Sequence, residues 1–176
     1  MSISIFLFSC FSLFSAIVGK PVPATVSTLN VDQYMGHWIN IYASPTNYIF
    51  QGYGKCLTAD YGLLNNGNVS VVNKQLDKND HLEVITGYGY YQNVSEPGKL
   101  TVHLDGVPVD GPYWIVKLGE ILNDQYQYSI VTAPSDISLW VLTRDLDTFY
   151  KSYDDEVIQF LDEYDFNYIT ISQDGC

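Results

Sequence analysis

The sequence predicts an all-β fold of eight short antiparallel strands followed by one amphipathic helix, and three observations carry that prediction. Apolar and polar side chains alternate over short runs, Gly, Asn and Pro turns punctuate those runs at regular spacing, and 15 Tyr outnumber 8 Phe and 3 Trp, an aromatic usage suited to half-buried sheet surfaces. Such spacing fits a sandwich or a closed barrel, and pattern alone leaves the two open. The 176 residues allow one domain with a real core. A 47% apolar content excludes a disordered tail, and 16% charged residues exclude a solvated rod or long coiled coil. A net charge of −12 argues against nucleic acid or an anionic membrane surface as the main partner, because both need clustered Lys and Arg.

Element by element, the chain opens on a different material. Met1 to Gly19 carries no charged side chain, and Ile3 to Val18 is apolar apart from Ser and Cys10. A membrane span needs about 20 apolar residues. This shorter run, followed by Lys20-Pro21-Val22-Pro23, reads as a signal peptide over 1–19, with a secreted domain over 20–176. An uncleaved anchor and a lipidated Cys10 are the alternatives. Strands are then expected at Trp38–Ala43, Cys56–Leu64 and Val69–Lys74, the last two joined by the hairpin signal Asn65-Asn66-Gly67. Five more follow at His81–Tyr91, Lys99–Leu104, Tyr113–Leu118, Tyr126–Thr132 and Ser138–Thr143. In the fifth, Leu100, Val102 and Leu104 take one face and Thr101, His103 and Asp105 the other. From about Ser152 the period changes: Tyr153, Val157, Ile158, Leu161 and Tyr164 fall at helical spacing, with Asp154, Asp155 and Glu156 in the first turn, where the helix dipole favours acids. A short strand, Tyr168–Ser172, precedes Cys176.

With the leader removed, Cys56 and Cys176 are the two cysteines left in an oxidising compartment and are expected to pair. In the chain-entropy model such a long loop is worth up to about 4 to 5 kcal/mol. The alternative is a free thiol at Cys56. Sequons at Asn68 and Asn93 fit secretion, and Asn93, before the turn Glu96-Pro97-Gly98, is the better glycan acceptor. His37, His81 and His103 show no metal-ligand spacing and no orienting acid nearby in sequence, so no metal, cofactor or catalytic residue is expected.

Three blocks resemble the lipocalin family: Asp32–Trp38 (DQYMGHW) its N-terminal Gly-x-Trp signature, Asn123-Asp124-Gln125-Tyr126 its Thr-Asp-Tyr region, and Leu139–Arg144 (LWVLTR) the end of its eighth strand. Within that family, the segment Gly54–Tyr61, Val71–Leu76, Ser95–Leu100, Pro112–Val116 and the terminal Gly175-Cys176 most resemble the apolipoprotein D and bacterial lipocalin branch. The resemblance implies an eight-stranded up-and-down β-barrel with the helix packed outside. It implies structural roles for Gly36, Trp38, Asp124, Tyr126 and Arg144, with Trp38 plugging the closed end under the Arg144 guanidinium. It also implies the Cys56–Cys176 bridge. Function then lies at the open end, where matched positions suggest Tyr61, Asn73 and Trp140 as pocket residues. Alternation adds Leu57, Ala59 and Val71. Period two from Arg144 likewise places Leu142 and Trp140 on the inner face, and Asp60 beside Tyr61 faces outward. The implied function is secreted binding or transport of a small hydrophobic ligand, such as a fatty acid, sterol or retinoid, carrying one carboxyl, hydroxyl or carbonyl group. A lipid-acting enzyme on the same fold, or a scaffold for a protein receptor, are the rivals. Tyr48, Ile49 and Phe50 of the first long loop are expected to pack that loop onto the barrel, with a lid over the mouth or a weak membrane-contact patch as the alternatives, and the loop Asp105–Gly111, with two Asp, lowers the expectation of membrane or lipoprotein docking.

Overall fold

A computed structural model describes residues 23–47, 52, 54–134 and 138–176. The expected leader and the loop residues Tyr48, Ile49 and Phe50 lie outside them. The chain enters through one helical turn, α1 (Val31–Tyr34), capped by the Asn30 side chain, which accepts from the Gln33 N–H. Eight long strands follow: β1 (Gly36–Ala43), β2 (Lys55–Leu63), β3 (Val69–Leu76), β4 (Leu82–Tyr91), β5 (Lys99–Leu104), β6 (Gly111–Leu118), β9 (Tyr128–Thr132) and β10 (Leu139–Thr143). Between β6 and β9 the chain forms a ribbon of β7 (Ile121–Leu122) and β8 (Gln125–Tyr126), and β11 (Ile169–Thr170) comes last. Each long strand pairs antiparallel with the next, and β10 returns to pair with β1, Asn40 opposite Leu142. Closure leaves no free edge among the eight and decides the sandwich-or-barrel question for the barrel.

The β7–β8 turn is built by Asn123 and Asp124, both in the left-handed region at φ 50° and 61°. Two consecutive positive φ angles match the twist of a tight hairpin, and Asn and Asp tolerate them better than other side chains. The expected strand Tyr126–Thr132 is thereby split into β8 and β9.

Beyond Ile39, β2 leaves β1, and β11 fills the opening: Tyr42 lies opposite Thr170, the Ile171 N–H donates to Ile41 O, and the Cys56 N–H donates to Ser172 O. The backbone turns at Cys56, whose φ is 55°, where the β2–β3 register also shifts. The disulfide Cys56–Cys176 bonds this junction.

The C-terminal helical region comes in two pieces, α2 (Leu146–Ser152) and α3 (Asp154–Glu163). The second is the helix expected from the sequence. The first is additional, started by Asp145, whose carboxylate accepts from the Thr148 N–H at 2.8 Å. Phe149, Tyr153, Val157 and Leu161 bury themselves against Ile41, Ile130 and Val141 on the barrel's outer wall. Three phenols anchor the same face: Tyr42 donates to Asp154, Tyr128 to Glu156 and Tyr153 to Glu120. A separate core of Trp38, Tyr34, Ile115, Val131 and Leu142 fills the barrel's closed end.

Candidate ligand-binding site

The floor is set by β1 and the end of β10. Gly36 opens β1 at φ 99°, a conformation that side-chain-bearing residues rarely adopt, and this turns Trp38 into the barrel, where it is fully buried. The indole N–H donates to Tyr34 O at 2.9 Å. Arg144 lies over the ring with its guanidinium carbon 3.5 Å from the centroid. Its Nε donates to Tyr126 O, Nη1 to His37 O, and Nη2 to the carbonyls of Gln33, Tyr34 and Met35. One planar fork thus ties α1, β1 and β8 together. Burial pushes the Arg144 pKa down to about 10, which still leaves it charged at neutral pH. Asp124 accepts from Gln33 Nε2, and the Tyr126 hydroxyl accepts from the Asn30 N–H. Every residue expected as structural signature therefore meets at this plug.

Above the plug four hydroxyls form a chain. Ser129 bonds Tyr34 at 2.9 Å, Tyr34 bonds Tyr113 at 2.8 Å, and Tyr113 bonds Tyr61 at 3.2 Å. Burial raises all three phenol pKa values, that of Tyr61 to about 12, so they stay protonated at physiological pH.

The cup opens above these rings as a cavity of about 730 Å³. All six residues expected to line it do so: Tyr61, Asn73, Trp140, Leu57, Ala59 and Val71. Register explains the convergence, since Ala59 sits opposite Asn73 and Tyr61 opposite Val71 on the inner face. Leu142 joins Trp140 there, as period two from Arg144 requires. Asp60 points the other way and holds Lys74 Nζ at 2.8 Å and His37 Nδ1 at 2.7 Å. Burial works against its carboxylate, but those two hydrogen bonds outweigh it and hold its pKa below the ordinary value.

Sequence reasoning missed several lining residues. Asn40 stands between two isoleucines, and because β1 is buried on both faces it shares the inner one with Trp38. Its spacing from Trp38 is the signal that could have found it. Tyr113 was signalled by its place in a predicted strand and in the segment Pro112–Val116 that carries the family resemblance, but neither marks it as facing the cup. Val107, Pro108 and Val109 also border the mouth, so the loop between β5 and β6 belongs to the site.

Each histidine has an acid partner: His37 pairs with Asp60, 23 residues away, and, contrary to the expectation of no acid nearby in sequence, His81 pairs with Asp77 four residues before it and His103 with Asp110 at 2.8 Å. His37 and His81 are mostly exposed, and no histidine lines the cup. Among the described residues no group of three or more His, Cys, Asp or Glu is placed to hold a metal ion.

A closed eight-strand barrel with this plug, cup and outer helix defines the class, and a family model for the lipocalin-like domain matches residues 29–163, so the chain belongs to the lipocalin family. It is 33% identical over 115 residues to apolipoprotein D of Mus musculus, covering 65% of this chain and 57% of that protein. It is 29% identical over 143 residues to outer membrane lipoprotein Blc of Vibrio cholerae, covering 80% of each. In fold it is similar to lobster apocrustacyanin A1, with a TM-score of 0.60, 14% identity, and coverage of 89% of this chain and 93% of that one. The matched stretch thus falls short of two thirds of the mouse protein's length.

Proposed function

We propose that this protein is a secreted carrier that holds one small lipid, of fatty-acid, sterol or retinoid size, in the barrel cup. The observation that carries the reading is the cup itself. A cavity of about 730 Å³ lies above a sealed floor, within the range typical of small-molecule sites, and its walls are mostly apolar with a few uncharged polar groups. Leu57, Ala59, Val71 and Trp140 supply the apolar contact, while Tyr61 and Asn73 supply hydrogen bonds. Burial at about 25 cal/mol per Å² would provide most of the affinity. Secretion is supported by the leader-like Met1–Gly19 segment and by the disulfide, a bond that persists in oxidising compartments.

The test is a fluorescence titration of purified protein with a retinoid, a fatty acid and a steroid, comparing the native chain with Trp140→Phe. Saturable quenching that falls in the variant is the expected result. No saturable binding across the panel would overturn the carrier reading and favour a scaffold role.

A further inference from the structure

Inside the cup one group stands apart. Asn40 is only 5% exposed, and its Oδ1 is buried without a hydrogen-bond partner. Its backbone oxygen, by contrast, accepts from the Gln173 side chain. Leaving a buried amide unpaired is costly, and most buried polar side chains in folded proteins are paired. Asn40 lines the cup, so an amide whose oxygen is unpaired stands at the wall of a lipid-sized cavity.

The charges around the cup say which ligand. A carboxylate would need a cation, and neither end offers one. At the floor, Arg144 is turned beneath Trp38 and donates to the carbonyls of Gln33, Tyr34, Met35, His37 and Tyr126. On the wall, Lys74 is the one basic residue among the described lining residues, and its ammonium is held by Asp60. At the mouth the charged side chains are acids, Glu83 and Asp110. Head-in, an ionised fatty acid would bury an unpaired charge; head-out, it would meet like charge.

We propose that the cup selects an uncharged lipid bearing a hydroxyl group, hydrogen-bonded to Asn40, over an ionised fatty acid. A hydroxyl both donates and accepts, so it satisfies the Asn40 amide whichever way round its oxygen and nitrogen lie. Tyr61, Tyr113 and Asn73, which line the cup with Asn40, are uncharged as well and add hydrogen bonds without demanding a counter-ion. This inference rests on the carrier reading and narrows it.

The test uses three probes of equal chain length, dodecanol, dodecanoate and dodecane, titrated into the purified protein at neutral pH. Dodecanol is expected to bind roughly tenfold or more tightly than dodecanoate, the cost of an unpaired charge setting the gap. Asn40→Leu is expected to weaken dodecanol roughly two- to tenfold, one hydrogen bond's worth, while dodecane affinity holds. A second measurement needs no variant: as pH falls toward the carboxyl pKa of about 4 to 5, the affinity of the acid should rise relative to that of the alcohol. Equal binding of acid and alcohol at neutral pH, or an alcohol-to-alkane ratio unchanged by Asn40→Leu, overturns the inference and leaves the carrier reading standing. Failure of all three probes together with the retinoid and steroid panel overturns both.

Discussion

Replacing Arg144 tests whether the plug is a brace or only a stopper. Arg144→Ala removes a guanidinium lying 3.5 Å over the Trp38 ring and donating to five backbone carbonyls on α1, β1 and β8. The cation–π contact is worth about 1 to 2 kcal/mol in a desolvated setting. The bonds to His37 and Tyr126 hold separate elements and contribute about 1 to 1.5 kcal/mol each. The expected loss is therefore about 3 to 5 kcal/mol, a large part of the 5–15 kcal/mol typical of a domain. Arg144→Lys keeps a cation over the indole, but one ammonium cannot span carbonyls on both sides, so it should lose about 2 to 3 kcal/mol. Arg144→Met keeps the stem and sheds the charge whose burial cost is seen in the lowered pKa, and should fall between wild type and Ala. Urea unfolding followed by near-ultraviolet circular dichroism measures all three. An Ala variant within about 1 kcal/mol of wild type, or a Lys variant matching wild type, would refute the bracing argument.

Reducing the disulfide, or making Cys176→Ser, should cost up to about 4 to 5 kcal/mol and raise hydrogen exchange first at Ile171 and Cys56, whose N–H groups hold the β11 junction; exchange unchanged there would sink the idea. Gly87→Ala should prevent folding or cost about 3 kcal/mol or more, because its Cβ would collide with the His103 carbonyl oxygen across β4–β5, whereas Gly111→Ala, which meets open space, should stay within about 0.5 kcal/mol. Stability should fall as pH rises from about 10 to about 12: the folded Tyr61 pKa lies above its unfolded value, so its contribution is full below pH 10 and about 1.4 kcal/mol is gone by about pH 11, readable as a lower urea midpoint with delayed phenolate absorbance. Tyr34 and Tyr113 act in the same sense, while Arg144, whose folded pKa of about 10 lies below its unfolded value, opposes them from about pH 10 upward, so the net fall is the tyrosines' combined loss less the Arg144 gain. Expressed through a eukaryotic secretory route, the chain should carry glycan at the exposed turn residue Asn93, and peptide mapping that finds Asn93 bare would contradict that assignment.

The barrel was readable from sequence wherever a strand has one wet face. Leu100, Val102 and Leu104 alternate with Thr101 and His103 because β5 separates cup from solvent, and once the family resemblance sets Arg144 at the closed end, period two places Leu142 and Trp140. Where both faces are buried the signal fades. In β1, Ile39 and Ile41 face the helix layer while Trp38 and Asn40 face inward, so the strand reads as apolar and Asn40 as its exception. The helix α2 was hidden for another reason: its seven residues are too few to show a period, and only the Asp145 cap marks it. Closure of the β1–β2 gap by β11 is a long-range event with no local pattern beyond the terminal cysteine.

The surplus of tyrosine over phenylalanine becomes intelligible once the hydroxyls are followed. Tyr42, Tyr128 and Tyr153 each sit with the ring in the layer between barrel and helices and the oxygen on a carboxylate, Asp154, Glu156 or Glu120. Phenylalanine would bury the same surface but leave those acids without partners at the edge of an apolar layer. Tyr34, Tyr61 and Tyr113 do the same inside the barrel, where their oxygens bond one another and Ser129 rather than a charge. The two sets differ in what they bond: outside, acids supply the acceptors and the net charge of −12 is partly put to use; inside, the hydroxyls bond one another and Ser129 as a neutral chain. A neutral hydroxyl chain supplies hydrogen bonds but no counter-ion, so the same tyrosines that stabilise the fold would favour an uncharged ligand over an ionised one.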